Sequence, residues 1–216
     1  MTTLGASPFV ALGQERRYKR GTTLLLQGDT VSTVHLILEG WIKAVQTTPS
    51  GREILVALLG PNDALGHFEA FEGIGTPMWA TVIALEDIRT SAVPVDRFLE
   101  YLRDHPDAAL EQLRRLLEHL RRDDRNRVEA AFFDTTHRLA SLVVELADRY
   151  SEATPDGVVL GIPLSQDEMS TMIGASRDSV ARALTSLRSR NMVRTGRRTI
   201  TILDLDAVRA FSNEML

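Results

Sequence analysis

The sequence predicts an α+β protein: a small antiparallel β domain, then a long helix, then two short helices closed by a basic hairpin. Three features point there. From residue 18 to about 95, short apolar runs alternate with Gly and Pro turns, as in a small sandwich or barrel. From Asp96 the apolar spacing changes from two to three and four, the period of helices. Between Leu164 and Thr199 helix caps, a Gly turn and a hairpin pattern follow one another within 36 residues.

The strands are expected at 22–26, 34–38, 41–47, 53–59, 79–84 and 88–94. Turns at Gln27-Gly28-Asp29, Glu39-Gly40, Pro49-Ser50-Gly51 and Gly60-Pro61-Asn62-Asp63 separate them. A short helix over 96–104 ends near His105-Pro106, and a long one runs from about 106 to 132. On the long helix Leu110, Leu113, Leu117 and Leu120 alternate by three and four residues, the seam of a two-stranded coiled coil, so a second copy of the chain is an expected partner. The seam continues through Asp124, Arg127 and Ala131 and turns polar between Arg121 and Arg127. Two readings of that polar run stand side by side. It is a solvated face with internal salt bridges, or a loosely specified half on which two subunits can roll.

Asp134 can cap the next helix, whose inward face is Leu139, Leu142, Val143 and Leu146. Residues 151–157 read as a polar loop with a Pro155-Asp156-Gly157 turn, and 158–163 as a short strand. A last helix over 204–215, capped by Asp204, packs through Leu205, Val208 and Phe211.

Ser165 and Glu168 form an S-x-x-E capping box, so a helix starts just after Ser165, with Met169, Met172 and Ile173 on its apolar face. Gly174 sits where a helix end needs a left-handed residue, and Ser176 can cap a second helix. There Val180, Leu184 and Leu187 fall at i, i+4 and i+7 and pack inward, which turns Arg177, Asp178, Ala181 and Arg182 to another face. These residue types suit a DNA major groove. A guanidinium fits guanine O6 and N7 together, a carboxylate accepts from a cytosine amine, and alanine leaves room for close approach. Residues 192–200 then read as a strand, a Gly turn bearing Arg197 and Arg198, and a second strand, a wing to lie on phosphates. From Leu164 to Thr199 seven Arg face three acids, in a chain of net charge −4. Charge so concentrated is the footprint of a nucleic-acid module in an acidic protein. The alternative is a packing or interaction unit whose arginines are ordinary exposed residues.

The run Ile173-Gly174-Ala175-Ser176-Arg177-Asp178-Ser179-Val180-Ala181-Arg182 has the form I-G-x-S-R-x-x-V-x-R. On it, residues 164–193 resemble the winged helix-turn-helix of the Crp/Fnr family of bacterial transcription regulators. The resemblance implies base reading by Arg177, Asp178 and Arg182, many members having Glu where this chain has Asp178. Phosphate contacts are then expected from Ser165, Gln166, Ser176, Arg197 and Arg198. It also implies an effector-type β-roll (jelly-roll or cupin-like) over 1–105, a dimerisation helix and hinge over 106–133, and a winged-helix DNA-binding domain over 134–216. Partners implied are double-stranded DNA, a second copy and RNA polymerase.

In nucleotide-binding members the effector pocket lies in the segment matching 66–81. There a carboxylate after the glycine holds the ribose and an Arg-Ser pair holds the cyclic phosphate. Here Gly66 is followed by His67 and Phe68, and Thr76 and Pro77 stand before Trp79. Neither can supply the guanidinium fork that a phosphate wants. The nearby Glu69 and Glu72 would repel an anion. Asp123 and Asp124 replace the Thr-Ser pair that meets the adenine. Cyclic AMP binding of the usual kind is therefore not expected. Other outcomes stay open: His67 as a haem ligand, although a lone His is far more often an ordinary residue; a pocket filled by Phe68, Phe71 and Met78; or a ligand held by a non-standard pocket. No cofactor is expected, neither cyclic AMP nor haem.

The chain has no cysteine, which excludes disulfides and Cys-held clusters, and with them the family's oxygen-sensing branch. No run of 18 apolar residues occurs, and Met1 to Gly13 is too short and too broken by Pro8 for a leader, so a cytoplasmic protein without a membrane partner is expected. A β-roll can also be a metal-dependent enzyme, but the five His at 35, 67, 105, 119 and 137 form no His-x-His set. No nucleophile-base set or phosphate-cradling Gly loop appears either. No catalytic or metal site is expected.

Overall fold

The computed structural model describes residues 8–49, 51, 53–73, 75–155, 157–196 and 198–214. They form two compact units, one up to Leu116 and one from Leu117 onward. Among the described residues no helix is long and apolar enough to cross a membrane.

The first unit begins with a turn of helix, α1 (Pro8–Ala11), and the strands β1 (Gln14–Tyr18), β2 (Thr23–Leu25), β3 (Thr33–Glu39), β4 (Ile42–Thr47), β5 (Glu53–Leu59) and β6 (Ala64–Leu65). Then come α2 (His67–Glu72), β7 (Thr81–Ala84), β8 (Ile88–Pro94), α3 (Val95–Asp104) and the start of α4 (Pro106–Phe132). Two four-stranded antiparallel sheets, ordered β1-β8-β3-β6 and β2-β7-β4-β5, make the β-roll. One core joins them: Val34, Leu36 and Val93 come from one sheet, Ile42 and Val82 from the other, and Phe98 from α3. β3 is buried along most of its length, which is why its sequence reads as a continuous apolar run.

Four elements of this unit escape the sequence pattern, the short α1 among them. β1, Gln-Glu-Arg-Arg-Tyr, has no apolar alternation and is a sheet-edge strand held by its ladder to β8 and by the Arg89–Glu15 ion pair at 3.1 Å. β6 is two residues long, and α2 is less than two turns. β7 starts at Thr81, so Trp79 and Ala80 lie outside the strand expected over 79–84. Ser50 of the expected 49–51 turn lies outside the described residues.

The second unit carries the rest of α4, α5 (Thr135–Tyr150), β9 (Ser151–Thr154), β10 (Gly157–Leu160), α6 (Gln166–Met172), α7 (Arg177–Ser189), β11 (Val193–Gly196), β12 (Thr199–Ile202) and α8 (Leu205–Asn213). Its sheet runs β11-β12-β10-β9. Leu139, Val143, Val180, Leu187, Ile202 and Val208 are fully buried and make its core. The polar loop expected over 151–157 is instead a hairpin arm: Ser151–Thr154 pairs with Gly157–Leu160. A polar stretch at a sheet edge needs only its backbone ladder, and that leaves no apolar signature. The turn expected there includes Asp156, and the expected last helix ends in Met215; both residues lie outside the described ones.

Asp134 caps α5, accepting from the backbone N–H of Thr136 at 2.7 Å and of His137 at 2.9 Å. Burial raises its carboxyl, but the bonds from His137 and Thr136 leave it below the ordinary value. The His137 ring stacks on Phe211 with centroids 4.3 Å apart and so ties α5 to α8.

His35 is a buried histidine in β3, its Nδ1 3.2 Å from Thr90 Oγ1. Burial, with a smaller effect of the Arg16 charge, pushes its imidazole from 6.5 down to about 4. The unfolded chain therefore takes up a proton between those values that the folded chain refuses. Stability from neutral His35 is complete above pH 6.5 and lost as the pH falls toward 4, on the order of 3 kcal/mol in all. Denaturant melts from pH 7 to 4 should show this loss, and His35→Leu should flatten it; an unchanged slope would clear His35 of the effect.

Candidate nucleic-acid interface

The interface is built on α6, α7 and the β11-β12 hairpin. Ser165 starts α6: its hydroxyl accepts from Glu168 N–H at 3.2 Å and donates to Glu168 Oε2 at 2.8 Å, and its own N–H meets Oε2 at 2.9 Å. The complete capping box orients a helix of only seven residues, with Met169 buried beneath it. At the far end Gly174 takes φ +61°, a conformation open to glycine without penalty. Arg138 of α5 donates from Nη1 to the Ile173 carbonyl at 2.7 Å, so the turn is pinned from beneath.

Ser176 caps α7, accepting from Ser179 N–H at 3.1 Å. Val180, Leu184 and Leu187 are buried as their spacing requires, and Ala183 with them. The opposite face carries Arg177, Asp178, Arg182, Thr185 and Arg188, all exposed, with Ala181 partly exposed among them. Arg177 Nε lies 3.7 Å from Asp167 Oδ1, an exposed pair that a DNA base could displace at little cost. Arg182 is steadied by its neighbours: Nη2 donates to Ser179 Oγ at 3.0 Å, and that hydroxyl lies 2.9 Å from Ser176 Oγ.

Two arginines that count as positive charge in the sequence have structural duties. Arg188 bonds Thr195 of the wing at 3.2 Å and Thr185 of its own helix at 2.8 Å, joining α7 to β11. The Arg190 guanidinium lies 4.8 Å from the centre of the Phe211 ring. No sequence signal marks these roles, because both partners are distant or polar.

Between the start of α6 and the wing lies a cleft of about 210 Å³, lined by Ser165, Gln166, Thr195, Arg198 and Thr199 among others. Three of the residues expected at phosphates, Ser165, Gln166 and Arg198, thus share one cleft. Ser176 is not among its lining residues and sits at the start of α7, and Arg197 lies outside the described residues. Both serines are engaged as caps, so a phosphate would share them with the backbone.

In the first unit Gly66 precedes α2 at φ +78°. The His67 ring, with Nδ1 buried, lies 4.0 Å from that of Phe68, centroid to centroid. Backbone pairing holds the next segment, Pro77 bridging to Thr30 and the Thr76 carbonyl accepting from Val31 at 3.3 Å. Of the three residues named as pocket fillers, Phe71 is 43% exposed and leans on Phe98, while Met78 is buried and Phe68 half-buried. Glu69 is buried and accepts from Trp79 N–H at 3.4 Å, because α2 turns it under the 76–79 segment. On α4, Asp124 is exposed and pairs with Arg127 at 3.1 Å; the Asp123 side chain lies outside what is described. Among the described residues no group of three or more His, Cys, Asp or Glu could hold a metal ion.

Residues 15–105 match the cyclic nucleotide-binding domain, and residues 137–211 match the Crp-like helix-turn-helix domain. The chain is 28% identical over 189 residues to the CRP-like cAMP-activated global transcriptional regulator of Mycobacterium tuberculosis, covering 87% of this chain and 83% of that protein. It is 27% identical over 203 residues to the global nitrogen regulator of Synechocystis sp., covering 91% and 90%. Among solved structures FixK2 of Bradyrhizobium japonicum superposes with a TM-score of 0.79 at 16% identity, over 94% of this chain and 99% of that one, a likeness of fold.

Ser165→Ala removes the hydroxyl half of the capping box, leaving only the backbone N–H of residue 165 on Glu168, and should lower the stability of the DNA-free protein by about 1 kcal/mol, with Ser165→Thr restoring it. Equal denaturation midpoints for wild type and Ser165→Ala would show that the box does not hold α6.

Proposed function

As a cyclic nucleotide-binding domain followed by a Crp-like helix-turn-helix, this chain belongs to the Crp/Fnr family of transcription regulators, and we propose that it acts as a homodimer on a pseudo-palindromic promoter site. The observation that carries this is the outer face of α7, where Arg177, Asp178 and Arg182 stand exposed over a buried apolar face. In this reading those three contact bases, while Arg197, Arg198, Gln166 and the two capping serines hold phosphates. Pairing is supported by α4, on which Leu110, Leu113, Leu117 and Leu120 are 44–52% exposed. A leucine stripe at coiled-coil spacing is covered by a second copy of the same helix. The next seam positions, Asp124 and Arg127, are charged and pair with each other at 3.1 Å, so the apolar stripe stops at Leu120, and in this reading the polar half is a joint able to roll. Two recognition helices about 34 Å apart would enter successive major grooves. RNA polymerase is the further partner of such a regulator, the cytoplasm its compartment, and no catalytic activity belongs to the reading.

For the β-roll we propose no response to cyclic AMP of the usual kind and no haem. Thr76 and Pro77 bring no charge to a phosphate, and the buried side chain that bonds this segment, through Trp79 N–H, is the acidic Glu69. The relatives carry different signals in their names, one cAMP-activated and one a nitrogen regulator, so family membership alone does not supply the ligand. The second reading, a regulator answering another ligand through a non-standard pocket, is favoured by burial of Glu69, which suits a hydrogen-bond donor better than an anion.

Selection of bound oligonucleotides from a random pool should return an inverted repeat with half-sites about one helical turn apart. The same sequences should emerge with and without cyclic AMP. A single unrepeated site sinks the dimer, and enrichment only in the presence of cyclic AMP sinks the proposal for the β-roll. On the selected site Arg182→Ala should relax preference at one base pair by about 1–3 kcal/mol, whereas Arg197→Ala should weaken matched and scrambled duplexes alike. Equal losses for both variants in gel-shift titrations would overturn the division of roles.

A further inference from the structure

Among the described residues, positions with left-handed backbone belong to glycine or asparagine with a single departure. Asn62 and Asn191 stand at φ +75° and +55°, and Arg198 at φ +59°. Glycine and asparagine visit this region readily, whereas a long side chain there brings Cβ against the following carbonyl. Arg198 is the second residue of a two-residue loop, since Gly196 and Thr199 pair directly across the hairpin. Loops of that length favour Asn-Gly, because their twist demands positive φ. The glycine of this hairpin stands elsewhere, at 196, where a Cβ would lie 2.5 Å from Thr199 Oγ1 and that side chain would have to turn, and the left-handed position is left to an arginine. Burial does not hold Arg198 in place, since the residue is exposed. Strained residues of this sort gather where function requires them, and Arg198 lines the cleft with Ser165, Gln166 and Thr195.

We propose that the wing turn keeps a strained arginine at 198 to hold one guanidinium over the cleft beside α6, where it neutralises a single DNA phosphate, at the expense of hairpin stability. The proposal rests on the DNA-binding reading above and adds that the contact is made by a residue the backbone would rather replace.

The test compares Arg198→Gly and Arg198→Lys with wild type, all as full chains. Arg198→Gly should raise the midpoint of thermal unfolding by roughly 2–5 °C. It should weaken matched and scrambled duplexes alike, roughly fivefold at ~0.15 M salt, and reduce the slope of log affinity against log salt by about one. Arg198→Lys, which keeps charge and strain, should leave the midpoint and the salt slope at their wild-type values. If Arg198→Gly gains no thermal stability, or keeps the wild-type salt slope while wild type binds DNA, this inference falls and the DNA-binding reading stands. If wild type binds no duplex at all, both fall.

Discussion

A helix can offer arginines to DNA only if something else holds it still. Here the hold is the short turn between α6 and α7, where Gly174 bends the chain and Arg138 reaches from α5 to the Ile173 carbonyl. The turn fixes the rotation of α7, and rotation decides which side chains face outward. With Val180, Ala183, Leu184 and Leu187 buried, Arg177, Asp178 and Arg182 have no other face to occupy. A carbonyl at a helix end without a partner would cost free energy comparable to a lost hydrogen bond, so the Arg138 contact both completes the fold and sets the geometry of the site.

Six arginines of this unit divide into two groups by environment. Arg138, Arg188 and Arg190 bind a carbonyl, two threonines and an aromatic ring, and together they connect α5, α7, β11 and α8. Arg177, Arg182 and Arg198 remain exposed and face outward from elements that the first group keeps in place. The planar fork of arginine suits both settings, pairing with carbonyls and hydroxyls within the fold and leaving further donors to point outward on the exposed face. Formal charge alone does not tell the groups apart.

In the β-roll, polar groups are placed with similar economy. His35 and Thr90 are buried together in neighbouring strands, and Glu69 is drawn beneath the segment that leads into β7. Each has a hydrogen-bonding neighbour within 3.4 Å, as buried polar atoms require. Glu69 is buried in this unit, and Thr76 and Pro77 stand in the segment that its carboxyl group helps to hold.

Local signals in the sequence determined a good deal. The capping box at Ser165, the caps at Asp134, Ser176 and Asp204, Gly174, the i, i+4, i+7 face of α7 and the Gly-punctuated strands are short-range patterns whose physics acts within one or two turns, so helix starts, the buried face of α7 and the order of domains were legible in the chain itself. Tertiary structure alone decided the rest. β1 and β9 are polar strands that exist because a neighbouring strand completes their hydrogen bonds, and Glu69 is interior because α2 turns it there. Arg138, Arg188 and Arg190 became structural through partners 35, 7 and 21 residues away, and the strain at Arg198 is a property of hairpin register. Patterns along a chain report its own backbone and its nearest turns, whereas burial and pairing between distant segments depend on which surfaces the completed fold brings together.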